Sequence, residues 1–205
     1  MTTPQHESVA TMIPHFISIG LDKIEAQSHH SPDTIKLVQS IGPLGTAGIR
    51  GEDRQYQPDA QYQLRDHLMT EYPGLAIEVS WSQSWAGKEE LEKKMGKLLE
   101  VGNGSTQTVI GVRLTESASG DLKMWLSLWR YAIPSDRVWD CIPIFPDDKR
   151  SLRLTLGDFI SKDIHVKYFP GADLDAEIMI PLGRVYKDAR CRFELWKTRQ
   201  ERDKA

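Results

Sequence analysis

Residues 75–82, Leu-Ala-Ile-Glu-Val-Ser-Trp-Ser, constrain the fold more than any other stretch, because they read as a strand carrying one carboxylate, Glu78, in its middle. Successive side chains of a strand point to opposite faces, so Ile77, Val79 and Trp81 share one side while Glu78, Ser80 and Ser82 share the other. A buried carboxylate is costly unless a cation, a metal or several donors stand beside it. A fold that buries this strand therefore has to bring such a partner to Glu78.

The surrounding sequence supplies enough apolar material for burial. The chain has 205 residues, 40% of them hydrophobic and 27% charged, an ordinary balance for one globular domain with a full core. The reading is a polar, disordered N-terminus over residues 1–11 and a single α/β domain over 12–205. A formal charge of −3 gives no overall attraction to nucleic acid, although a local basic groove is compatible with it. Two cysteines, Cys141 and Cys191, lie far apart in sequence, as in a reduced compartment rather than a disulfide scaffold. Neither a secretory signal nor a bilayer-length apolar run is present, so a cytoplasmic or nuclear protein without a membrane partner is expected.

Along the chain, residues 12–21 form a short apolar segment that continues towards residue 27 as a helix. Residues 42–58 are Gly-rich and polar and predict a flexible loop, and residues 61–70 a helix. In residues 88–101, Leu91, Met95, Leu98 and Leu99 have the spacing of an amphipathic helix that Gly102-Asn-Gly104 stops. Residues 108–114 and 124–131 predict strands, the second alternating Trp125, Ser127 and Trp129 against Met124, Leu126 and Leu128. A strand at 152–156 and a charged helix at 182–204 follow a Pro-rich connection. The order strand, helix, strand, strand predicts a mixed β-sheet flanked by helices.

The chemistry centres on Asp59 and Glu78, nineteen positions apart, with Lys94 on the helix that follows. Two carboxylates suit hard Mg²⁺ or Mn²⁺, which polarises a phosphoryl oxygen and activates water, and a lysine nearby steadies the developing charge. At 100° per residue Lys94 lies at the edge of the apolar stripe, while Lys93 and Lys97 project away from it.

Pro58-Asp59 followed by Ile77-Glu78-Val-Ser80 resembles the core of the PD-(D/E)XK, or restriction-endonuclease-like, nuclease superfamily. Gly48-Ile-Arg-Gly51, Tyr72-Pro-Gly, Ile77-Glu-Val-Ser-Trp-Ser-Gln83, Val109-Ile-Gly-Val112, Leu126-Ser-Leu-Trp-Arg130 and Leu152-Arg-Leu-Thr-Leu-Gly-Asp-Phe159 extend the resemblance, over residues 42–165, to a fungal branch of that superfamily. The resemblance implies a restriction-endonuclease-like core and metal-dependent hydrolysis of DNA or RNA. It further implies a metal held by Asp59, Glu78 and the Val79 carbonyl, with water as the nucleophile. The family's lysine two places after the Glu is Ser80 here. In a related branch that lysine sits on the following helix, where Lys94-Met95-Gly-Lys-Leu98 is similar; this makes Lys94 the catalytic candidate, with Gln83 as a further polar one and Glu25 as an additional acid from the N-terminal helix. The departure at Ser80 also motivates the alternative of an inactive nuclease-fold protein acting as a binding or accessory module.

Each residue has a structural reading too. Glu78 could pair with Lys94 or Arg113, Asp59 could be a turn residue after Pro58, and Lys94 could pair with Glu90 on a solvated face. Arg50 and Arg54 mark a possible backbone contact to nucleic acid. Trp125 and Trp129 read as sheet-covering aromatics, and His29-His30 as a solvated loop.

Overall fold

The strand that carries Glu78 is central in the sheet. It is β5 (Leu75–Trp81) in a computed structural model that describes residues 4–44, 48–50, 55–65, 72–81, 86–131 and 137–203. Nine further strands and five helices are formed by the described residues, beginning with α1 (Pro4–Glu25), α2 (Pro32–Ser40) and β1 (Ile41–Pro43). Two short strands, β2 (Ile49–Arg50) and β3 (Gln55–Tyr56), pair with each other, and β4 (Ala60–Leu64) precedes β5. Then come α3 (Ala86–Gly102), β6 (Thr108–Glu116), β7 (Leu122–Arg130) and β8 (Arg137–Ile144). The chain ends through β9 (Ser151–Thr155), a 3-10 turn (Leu156–Asp158), α4 (Lys162–Tyr168), β10 (Glu177–Pro181) and α5 (Leu182–Arg202).

Six strands form one mixed sheet in the order β1-β4-β5-β6-β7-β8. Only β5 and β6 are parallel, because α3 carries the chain back between them; the other neighbours are antiparallel. The architecture is thus α/β with a mostly antiparallel sheet.

Period-two alternation decides which residues face which layer. Leu75, Ile77 and Val79 of β5, Ile110, Val112 and Leu114 of β6, and Met124, Leu126 and Leu128 of β7 join α1, α5 and the β9–β10 ribbon in the larger core. On the opposite face Ala76 and Val109 pack under Leu91, Met95 and Leu98 of α3, together with Ile49 and Tyr56 of the β2–β3 ribbon. Burying a leucine or methionine fully contributes on the order of 2 kcal/mol, so Met95 and Leu98, both fully buried, fix α3 on the sheet. Gly111 lets α3 come that close: a Cβ there would overlap the Met95 side chain.

Several expectations are corrected. The N-terminal residues from Pro4 are helical, not disordered, because Val9, Ile13, Phe16, Ile17, Leu21 and Ile24 recur at helical spacing and bury one stripe of α1. Residues 60–64 form a strand where a helix was expected; Ala60, Tyr62 and Leu64 enter the larger core and alternate with Gln61 and Gln63, a period of two hidden by glutamines that suit helices equally well. The Gly-rich loop contains β1 and the β2–β3 ribbon, held by Ile49 and Tyr56 against α3. The charged helix expected at 182–204 is α5, and Val185, Ala189 and Phe193 bury it against the core. Among the described residues no helix is long and apolar enough to cross a membrane, and no disulfide joins Cys141 to Cys191.

The ends of β6 and β7 are tied to the 3-10 turn by a buried carboxylate. Asp158 Oδ1 accepts from Arg130 Nε (2.5 Å) and Thr108 Oγ1 (2.7 Å), and its Oδ2 accepts from Arg130 Nη2 (2.9 Å) and the Thr155 N–H (2.8 Å). Two segments that sequence alone marks as resemblance, 126–130 and 152–159, meet in this staple.

Candidate functional site

Glu78 projects from β5 into the face that α3 covers, and it is 1% exposed. Its Oε2 accepts a hydrogen bond from Lys94 Nζ at 2.6 Å, whereas Oε1 is buried and has no donor among the described residues. Burial pushes the Glu78 carboxyl up to about 7; the Lys94 ammonium works against that rise, and the nearby Asp59 charge adds to it. The site thus holds one buried, half-satisfied carboxylate.

Lys94 reaches Glu78 because α3 is anchored through Leu91, Met95 and Leu98, which leaves position 94 on the edge of the apolar stripe. Its side chain is 40% exposed, and Nζ also donates to the Gln57 carbonyl at 3.4 Å. Of the two cations that could pair with Glu78, the structure selects Lys94. Arg113 instead stacks on Trp125, its guanidinium carbon 4.2 Å from the ring centroid.

Asp59 arrives from the other side, where β4 begins. Its N–H donates to the Ile77 carbonyl (3.0 Å), continuing the β4–β5 ladder one step beyond the Ala60–Ile77 pair. Its side chain then takes the next rung: Oδ2 accepts the Val79 N–H at 2.7 Å. Asp59 is therefore no loose turn residue but a carboxylate docked on the edge of β5 beside Glu78.

One participant escaped sequence reasoning. His6, in the first turns of α1, sets Nε2 3.3 Å from Asp59 Oδ1, and its Nδ1 is buried without a hydrogen-bond partner. The Asp59 hydrogen bond, more than the opposing burial, raises the His6 imidazolium above its ordinary range. Burial by itself would raise Asp59, but the His6 hydrogen bond, the Val79 N–H and the His6 and Lys94 charges outweigh it and hold that carboxyl below the ordinary range. The only sequence signal for His6 would have been the apolar spacing of α1 carried back to residue 5.

The remaining candidates separate. Val79 gives its N–H to Asp59, and since N–H and C=O of one strand residue leave by the same edge, its carbonyl faces that side as well. Ser80 lies on the Glu78 face, half-buried. Gln83 and Arg54 lie outside the described residues. Glu25 accepts from Gln39 Nε2 at 2.8 Å and sits nineteen residues from His6, roughly 28 Å along α1 at the rise of a helix, so it does not join Asp59.

The donor set bears on the metal that the resemblance implies. Among the described residues no group of three or more His, Cys, Asp or Glu side chains is arranged to hold a metal ion. A hard divalent ion needs fewer: one or two carboxylates, with carbonyls and waters completing the shell. Glu78 Oε1 without a donor, the adjoining Asp59 carboxylate and the Val79 carbonyl are all oxygen, the chemistry such an ion takes. Lys94 stands against Glu78 and His6 against Asp59. Compared with protein-family models, with curated proteins and with solved structures, the chain finds no match in any of the three.

Proposed function

We propose that this chain is a metal-dependent phosphodiesterase acting on nucleic acid, with a restriction-endonuclease-like core. The observation that carries the reading is Glu78: a strand-borne carboxylate, 1% exposed, with one oxygen lacking any donor and a second carboxylate, Asp59, docked on the same strand edge. A protein seldom leaves a buried acceptor unmade for stability, since that costs about 1–3 kcal/mol. The order of α1, β4, β5, α3 and β6, with an Asp opening one strand and a Glu inside the next, supports the fold assignment.

In this reading Asp59, Glu78 and the Val79 carbonyl hold Mg²⁺ or Mn²⁺. When bound, such an ion polarises the phosphoryl oxygen and lowers the pKa of water. Glu78 offers its unpartnered Oε1, while Lys94 at Oε2 keeps the second oxygen oriented. Lys94 takes the part of the lysine missing at Ser80: with its side chain 40% exposed, it can turn its ammonium from Glu78 to a water or to the negative charge that grows on phosphorus-bound oxygen. His6 orients the Asp59 carboxylate from the side away from Val79. The expected result is cleavage of DNA or RNA in Mg²⁺ or Mn²⁺ that falls at least a hundredfold in Glu78→Gln; equal cleavage by both proteins overturns the proposal.

A second reading has its own observation, the closed Lys94–Glu78 pair at 2.6 Å beside a Ser at position 80. It makes the chain a nuclease-fold binding or accessory protein in which the ion pair has replaced the metal. Titration calorimetry separates the readings: Mn²⁺ binding that Asp59→Asn abolishes supports the enzyme, and its absence in the wild-type protein supports the accessory role.

A further inference from the structure

β9 and β10 form a two-stranded ribbon outside the main sheet, and its two outer edges differ. The Leu156 N–H donates to the Ala176 carbonyl and the Leu182 N–H to the Arg150 carbonyl, so in the register that pairs Glu177 with Thr155 the ladder to β9 runs through Ile178 and Ile180. The main-chain groups of Glu177 and Met179 therefore leave by the opposite edge. On β9 the outward groups are used: the Arg153 carbonyl accepts from Arg130 Nη2 (3.3 Å), and the Thr155 N–H donates to Asp158 Oδ2 (2.8 Å). On β10 no described residue bonds the outward N–H or carbonyl of Glu177 or Met179. An open edge of this kind is a template for another extended chain.

That edge borders a groove of about 640 Å³ whose other wall is α1. Phe16 and Ile24 of α1 and the half-exposed Met179 of β10 make its surface apolar. Gly20 lets the two walls meet, since a Cβ there would overlap the Ile178 side chain. From Phe16 to Gln27 α1 advances roughly 16 Å, and the five residues of β10 span roughly 17 Å. The groove is thus long and narrow, and its length suits an extended segment better than a compact molecule. Its charge is lopsided as well. Lys23 and Arg184 are exposed and have no acidic partner among the described residues; Arg184 lies over the Phe16 ring, 5.5 Å from its centroid. Glu177 is held by Arg153 at 2.5 Å, which leaves Asp175 as the acid of the groove without a cation among the described residues. α5 begins at Leu182 with no acidic residue in its first turn, so the positive end of its dipole adds to Arg184.

We propose that the outer edge of β10 binds an extended, acidic segment of a partner protein by strand addition. The main chain of the segment pairs with Glu177 and Met179, its alternate apolar side chains lie against Phe16 and Ile24, and its acidic residues face Lys23 and Arg184. The site is on the α1 side of the sheet, away from Glu78 under α3, and does not rest on the metal reading.

The probe is an array of short peptides that alternate apolar and acidic residues, with lysine in place of the acidic residues as the charge control. The full chain is used as wild type, as Met179→Pro and as the double variant Lys23→Glu with Arg184→Glu, each first checked for a cooperative thermal transition. Proline at 179 removes an outward N–H while sparing the ladder to β9. In fluorescence anisotropy the best acidic peptide is expected to bind wild type and to lose at least about tenfold in affinity with either variant, and with wild type when its edge-facing amides are N-methylated. Hydrogen exchange at the Glu177 and Met179 amides is expected to slow in the complex. Absence of binding by every acidic peptide at millimolar concentration, equal binding of the lysine peptides, or indifference to N-methylation overturns the proposal. Self-association of wild type in sedimentation that Met179→Pro abolishes would put a second copy of the chain on the edge and also overturns it. If Met179→Pro does not fold, the double variant and the N-methylated peptide decide.

Discussion

Two buried carboxylates on this sheet meet opposite fates. Asp158, 3% exposed, receives four donors, two on each oxygen, from Arg130, Thr108 and Thr155. Glu78, 1% exposed, has a cation on one oxygen and, among the described residues, no donor on the other. Burial makes the same demand of both. A fully satisfied carboxylate is a staple that holds β6, β7 and the 3-10 turn in one arrangement; a half-satisfied one retains acceptor capacity for something that arrives later. That contrast sets a buried charge whose acceptors are all used beside one whose acceptors are not, within a single sheet.

The comparison breaks first at the staple. Arg130→Met leaves Asp158 buried with half its donors and no countercharge, and is expected to cost about 3–5 kcal/mol in urea unfolding; a loss below about 1 kcal/mol would mean that Asp158 is no staple. Next in size is the pH response of Glu78. Its folded pKa of about 7 lies above the ordinary carboxylate value near 4.5, so the folded state binds the extra proton between those limits. Stability associated with this group is full below pH 4.5 and is lost as pH rises through 7. Relative to Glu78→Gln, wild type is expected to lose up to about 3 kcal/mol over that window, at 1.4 kcal/mol per pKa unit. Urea titrations of both proteins at five pH values check this, and a difference that does not change with pH contradicts it.

Metal sharpens the contrast further. At pH 7.5, Mn²⁺ at ten times its dissociation constant is expected to stabilise the wild-type protein by about 1.4 kcal/mol and to leave Glu78→Gln unmoved. Thermal melts with and without EDTA read this directly; an equal shift in both proteins would place the ion elsewhere. The smallest effect concerns His6. Because its pKa is raised in the folded state, its contribution is present below pH 6.5 and fades as pH climbs through the raised value. His6→Gln is expected to cost about 1 kcal/mol at pH 5.5 and less at pH 8.5, the charged hydrogen bond to Asp59 having been removed. Equal loss at both pH values would remove His6 from the electrostatics of the site.

Much of this arrangement was legible before any coordinates. β5, α3, β6 and β7 announced themselves through periodicity, and the edge position of Lys94 on α3 followed from 100° steps around Leu91, Met95 and Leu98. The choice between Lys94 and Arg113 as partner of Glu78 was not legible, since strand spacing brings both residues within reach and only the approach of α3 over Gly111 decides it. β4 was misread because Gln61 and Gln63 carry no strand signal of their own; what makes it a strand is its place between β1 and β5. His6 was missed for a related reason: a polar first turn looks disordered until α1 is laid across the sheet, and its contact with Asp59 spans 53 positions of sequence.

The Asp59 side chain, accepting the N–H of Val79 where β4 has run out of backbone, has one more consequence. A slip of one residue in the pairing of β4 with β5 would turn that carboxylate to the other face and leave Val79 unanswered. Pairing of the two carboxylates therefore proofreads the sheet: a chain in which β4 is mispaired does not bring the Asp59 carboxylate to Val79 and the neighbourhood of Glu78.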